Sequence, residues 1–72
     1  MTYRPALDHG DIRATQVPIC DRDGVIVGRR VTVTRLTDAM TKTNRCPDDF
    51  DGPDGVFAVA DRMASELLRF SA

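Results

Sequence analysis

The 72-residue chain has no tryptophan, one tyrosine, one histidine, one lysine, one glutamate and two cysteines. Each scarcity removes a class of chemistry. A zinc site needs about four nitrogen or sulfur ligands, and His9, Cys20 and Cys46 supply only three. No metal or other cofactor is therefore expected. No secretion signal frames the cysteines, so two reduced thiols are expected rather than a disulfide. Nucleophilic catalysis is short of parts as well. Ser65 falls on the polar side of a predicted helix, Ser71 stands next to last, and His9 sits in a predicted turn. No catalytic residue is assigned, and the expectation is a protein that is not an enzyme. No apolar run approaches the ~20 residues that a membrane helix requires. The opening MTYRPALDHGD lacks the apolar stretch of a signal peptide. These absences lead to the expectation of a cytoplasmic protein with no membrane partner.

What is present suits one small folded domain spanning 1–72, with 42% hydrophobic and 29% charged residues. The net charge of −1 conceals an asymmetry. Residues 1–36 carry six arginines against four aspartates, +2, whereas residues 37–72 carry four basic and seven acidic groups, −3.

The longest β-type run is residues 24–36, GVIVGRRVTVTRL. Alternation places Val25, Val27, Val31 and Val33 inward and Ile26, Arg30, Thr32 and Thr34 outward, with Gly28 marking a bulge that turns Arg29 toward solvent. Upstream, residues 11–21 read as a strand whose apolar parity switches from Ile12 and Ala14 to Val17 and Ile19, which predicts a bulge near Thr15 and Gln16. Arg22, Asp23 and Gly24 form a three-residue turn closed by a left-handed glycine. This turn sets Asp21 opposite Val25, Ile19 opposite Val27 and Thr15 opposite Val31. Residues 2–7 give a first, edge strand containing Pro5, joined by Asp8, His9 and Gly10 in the same turn pattern.

Residues 37–44, TDAMTKTN, fit either a single helical turn capped by Thr37 or Asp38 or a loop. Residues 45–55 are loop by composition, with Phe50 folding back onto the core. Residues 54–70 predict an amphipathic helix capped by Asp54 or Asp51. Val56, Ala60, Met63, Leu67 and Phe70 form its apolar centre, flanked by Phe57, Val59, Ala64 and Leu68. The resulting fold class is α+β. A three-stranded antiparallel meander (about 2–7, 11–21, 25–36) packs against one C-terminal helix (about 54–70).

Two surfaces stand out for function: the leading expectation is a non-enzymatic protein-binding module, an inhibitor acting through the first, and the alternative is a DNA-binding domain acting through the second. The first is acidic: Asp48, Asp49, Asp51 and Asp54 in the loop, extended by Asp61 and Glu66 on the helix. The loop fails the calcium pattern, since counting from Asp49 puts Pro53 fifth, Asp54 sixth and Ala60 twelfth. Carboxylates on a rigid scaffold can instead imitate phosphates before a basic channel. In size and class such a chain resembles the small inhibitors that phages and mobile elements make against host defence enzymes, anti-CRISPR proteins among them. That likeness implies a protein partner that itself binds nucleic acid.

The second surface is the outward sheet face with Arg4, Gln16, Arg30, Thr32 and Thr34, to which Arg29 and Arg35 are added as candidate nucleic-acid contacts. A three-stranded sheet backed by one helix resembles the arm-type domain of phage integrases and the plant AP2-type domains. That resemblance implies insertion of the sheet into a DNA major groove through arginines and hydroxyls. A free edge on the strand at 25–36 also leaves room for a homodimer.

Overall fold

The structure, a computed structural model, describes residues 5–70. Within them a 3₁₀ turn (Ala6–Asp8) precedes strands β1 (Ile12–Cys20), β2 (Ile26–Arg35) and β3 (Met40–Cys46) and helix α1 (Val56–Arg69). The strands form one antiparallel sheet in the order β1-β2-β3. With α1 packed on one face, the molecule is a two-layer slab of 42 × 30 × 15 Å. The α+β class, a three-stranded antiparallel meander with a C-terminal helix, is the one the sequence predicts.

The membership of the sheet differs from the expectation. Residues 2–7 do not supply the first strand: Ala6–Asp8 is a 3₁₀ turn, and Thr2, Tyr3 and Arg4 lie outside the described residues. The amides that a strand would pair are used locally, Asp8 N–H donating to the Pro5 carbonyl and His9 N–H to that of Ala6. Asp61 of α1 fixes the turn by accepting the Ala6 N–H at 2.6 Å. Gly10 does not close a left-handed turn, since Gly24 is the one glycine with a positive φ among the described residues.

The third strand comes from residues read as a helical turn or loop. Met40, Lys42, Asn44 and Cys46 share the face toward α1, and this edge strand has apolar residues there only at its two ends. Thr41, Thr43 and Arg45 occupy the other face, where threonine suits a pleated surface. The hairpin into β3 turns on Ala39, whose φ of 59° is unusual for alanine. Asp38 supports it by accepting the Met40 N–H at 3.2 Å.

The turn between β1 and β2 forms as predicted at its tip. Gly24 has φ 80°, Asp21 N–H donates to the Val25 carbonyl, and the Asp21 carboxylate accepts from the amides of Asp23 and Val25. The register then slips. Cys20 pairs with Ile26 but Ile19 with Gly28, leaving Val27 as the extra residue of a bulge. The expected pairs Ile19 with Val27 and Thr15 with Val31 are replaced by Ile19 with Gly28 and Gln16 with Val31. No bulge occurs at Thr15 and Gln16, because pairing runs unbroken from Ile12 to Ile19. A one-residue slip exchanges faces. Val17 therefore stands 51% exposed on the outer face, Val25 and Val27 are also exposed, and Gln16 moves to the helix side.

The core is compact and small. Val31 and Val33 of the central strand meet Val56, Val59, Ala60, Met63, Ala64 and Leu67 of α1, with Ile12 and Cys46 at the margins. Phe57 and Phe70, expected to be buried, are exposed, because the narrow sheet offers no surface beneath them. Phe50 also remains partly exposed and its ring lies tilted against that of Phe57, centroids 6.2 Å apart. Gly55 is the N-cap of α1, with no side-chain acceptor, and the Asp49 carbonyl takes the Val56 N–H. Neither Asp51 nor Asp54 caps the helix. β2, the long valine strand, is central, so the free edges belong to β1 and β3.

Candidate nucleic-acid interface

Alternation outward from buried Val31 and Val33 defines the open face of the sheet. β1 contributes Arg13, Thr15, Val17 and Ile19; β2 contributes Gly28, Arg30, Thr32 and Thr34; β3 contributes Thr41, Thr43 and Arg45. The register arranges these in rows: Arg13, Thr34 and Thr41; Thr15, Thr32 and Thr43; Val17, Arg30 and Arg45. Two threonine pairs bridge β2 and β3 with hydroxyls 3.3 Å apart, Thr32 to Thr43 and Thr34 to Thr41, the cross-strand contacts that stiffen a sheet. Three arginines thus stand on a face whose strand positions hold no carboxylate. Arg13, Arg30 and Arg45 are exposed, and among the described residues no carboxylate pairs with them.

Of the described arginines named from the sequence, only Arg30 belongs to this face. Arg4 lies outside the described residues. Arg29 does not escape to solvent. On the helix side of β2, its Nε donates to Asp48 at 2.6 Å and its Nη1 to Gln16 at 2.6 Å, and its guanidinium lies 4.7 Å over the Phe50 ring. That cation–π contact and the ion pair anchor the acidic loop to the sheet. Gln16, expected on the outward face, is the polar residue that completes this cluster. Gly28 is required by proximity, since a Cβ there would lie 2.9 Å from the Cys46 carbonyl oxygen.

Arg35 is structural for a different reason. Its Nη1 donates to the Leu67 and Phe70 carbonyls at 2.5 and 2.6 Å, satisfying the C-terminal end of α1 where a cation also suits the helix dipole. Its Nε and Nη2 grip the two carboxylate oxygens of Asp38 at 3.0 and 2.5 Å. Donation from Arg35 holds the Asp38 carboxyl at about 2, and the same hydrogen bond, accepted by Asp38, raises the Arg35 pKa.

The acidic candidates are scattered and mostly engaged. Asp48 is bound to Arg29, and the Asp49 carboxylate accepts the Asp51 N–H within its own loop. Asp61 holds Ala6, and Glu66 pairs with Lys42 at 2.8 Å, a hydrogen bond that lowers the Glu66 pKa. Asp51 and Asp54 remain exposed with no basic partner among the described residues. Among those residues no three His, Cys, Asp or Glu side chains converge to hold a metal ion. Cys20 is an exposed free thiol, and Cys46 a buried one whose Sγ lies 3.7 Å from the Arg29 carbonyl oxygen. No helix among the described residues is long and apolar enough to cross a membrane.

Arg13 and Arg45 are the contacts the sequence reading passed over. The parity of Ile12 and Ala14 already put Arg13, between them, outward. Arg45 required recognising β3, whose only signal was the threonine alternation. The fold and this face define a small two-layer α+β domain with an open, arginine- and threonine-bearing sheet. No protein-family model, no curated protein and no solved structure matches the chain.

Proposed function

We propose that this protein is a non-enzymatic module that binds duplex DNA by laying the open face of its sheet on the major groove. The observation that carries the reading is three arginines on a face whose strand positions hold no carboxylate. Phosphate attraction dominates such binding, and local charge matters more than the net charge of the chain. Three strands about 4.8 Å apart span roughly 10 Å, comparable with a major groove of about 12 Å. Arg13 and Arg45 stand on opposite edge strands toward the two walls of that groove, and Arg30 on the central strand points at its floor. No aromatic side chain lies on this face among the described residues, and single-strand binders rely on aromatic stacking. That favours a duplex. The acidic, phosphate-imitating surface is the weaker reading, because Asp48, Asp49, Asp61 and Glu66 already serve internal contacts.

Fluorescence anisotropy with a 20-base-pair duplex across sodium chloride concentrations tests the proposal. Two phosphate contacts, from Arg13 and Arg45, give a log–log salt slope of about −2. The variant R13A/R30A/R45A should lose the binding while keeping its melting temperature, since all three side chains are exposed. Absence of binding at low salt, or binding equally strong in the triple variant, would refute it.

A further inference from the structure

The layer opposite the proposed DNA face carries a separate feature. A groove of about 500 Å³ runs between the 3₁₀ turn, the loop at 47–55 and the first turns of α1. Pro5, Leu7, Phe50 and Phe57 make it apolar, with Phe57 59% and Phe50 39% exposed. It continues into a recess of about 180 Å³ that shares Leu7, Phe50 and Phe57 and reaches Val31 beneath β1. Exposed aromatic surface rimmed by polar groups marks interaction sites, and an aromatic seated in a pocket is the usual anchor of a protein interface.

Among the described residues the rim has one sign of charge. Asp8, Asp51 and Asp61 line the groove, and no lysine or arginine does so among the described residues. Asp61 is already engaged with Ala6, so the discriminating groups are Asp8 and Asp51, both exposed and neither ion-paired within the described residues.

We infer that this groove docks a segment of a partner protein that presents one large apolar side chain flanked by arginine or lysine. The apolar side chain lies in the groove against the exposed surfaces of Phe50 and Phe57, and the flanking cations meet Asp8 and Asp51. A second copy of the chain is a separate outcome of the test, since Arg22 in the turn between β1 and β2 and Arg62 and Arg69 on α1 also stand exposed. The inference does not depend on DNA binding.

The experiment follows the backbone amides of the full chain by NMR while adding acetyl-Gly-Arg-Trp-Arg-Gly-amide, with acetyl-Gly-Glu-Trp-Glu-Gly-amide as the control. The expected result is saturable shifts concentrated at residues 49–61, with a dissociation constant below about 1 mM, and none from the acidic peptide. F57S should abolish the shifts. D8N/D51N, which leaves the apolar surface intact, should weaken binding roughly threefold for each charge. R13A/R30A/R45A should leave it unchanged. Equal binding of the two peptides, shifts on another face, no binding of the basic peptide at the same concentrations, or occupation of the groove by self-association would each overturn the inference.

Discussion

At the scale of single residues, the arginines show how position decides the role of a side chain. Arg29 and Arg30 are adjacent, yet the first ties a loop to the sheet and the second faces open solvent. Arg35 closes the end of α1 and clamps Asp38, which yields a pH prediction. The Asp38 carboxyl sits at about 2 against an ordinary 3.8, so it is depressed in the folded state. Its contribution is therefore present above pH ~4 and is lost as pH falls through ~2. Wild type should melt above D38N at pH 5, and the two should converge near pH 2. The pair is on the surface, so the gap should be small and shrink with added salt. A second prediction concerns Gly28, where a Cβ meets backbone rather than a yielding side chain. G28A should destabilise by about 1–3 kcal/mol in urea denaturation. An unchanged midpoint would show that β3 can move aside.

At the scale of elements, the helix and sheet match over a narrower strip than the helical wheel implies. Six residues of α1 are buried, and Phe57 and Phe70 at its two ends overhang the sheet. Leu67 is 0% exposed and Phe70 is 52% exposed, although both belong to the apolar stripe. L67A should cost about 2–5 kcal/mol, and F70A no more than about 1 kcal/mol. The register makes a parallel prediction within the sheet. V17T should be nearly neutral and V33T strongly destabilising, because only the second puts a hydroxyl in the core. Thermal melts of the four variants check both contrasts. Comparable losses for V17T and V33T would mean that β1 is paired in the register expected from the valines of β2.

At the scale of the whole molecule, a slab 15 Å thick has two broad faces and little between them. At ordinary stability per residue the domain has roughly 4–11 kcal/mol to hold it together. The two faces differ in character: arginines and threonines on the sheet side, exposed phenylalanines and aspartates at the groove. Variants on one face lie away from the other and share no partner with it, so their effects should be independent. F57S should bind the duplex as wild type does, with the same salt slope, in the anisotropy assay. A loss of duplex binding in F57S with an intact melting curve would show that the faces are coupled.

The sequence by itself determined the features that depend on neighbours close along the chain. The helix was legible because its apolar and polar residues separate without exception from Val56 to Arg69, and the Gly24 turn because a left-handed position selects glycine. Together with the valine run of β2 these fixed the α+β class. Tertiary structure alone decided the rest. β3 carries little apolar signal of its own, and its pairing depends on Ala39 turning the chain back against β2. The bulge at Val27 exchanges the faces of β1 relative to β2, a one-residue choice that the apolar pattern pointed the wrong way. That slip places Gln16 on the helix side, where Arg29 donates to it. β3 then brings Arg45 beside Arg30. The arginine face therefore exists only once strands distant in sequence are held in register, which local propensity does not encode.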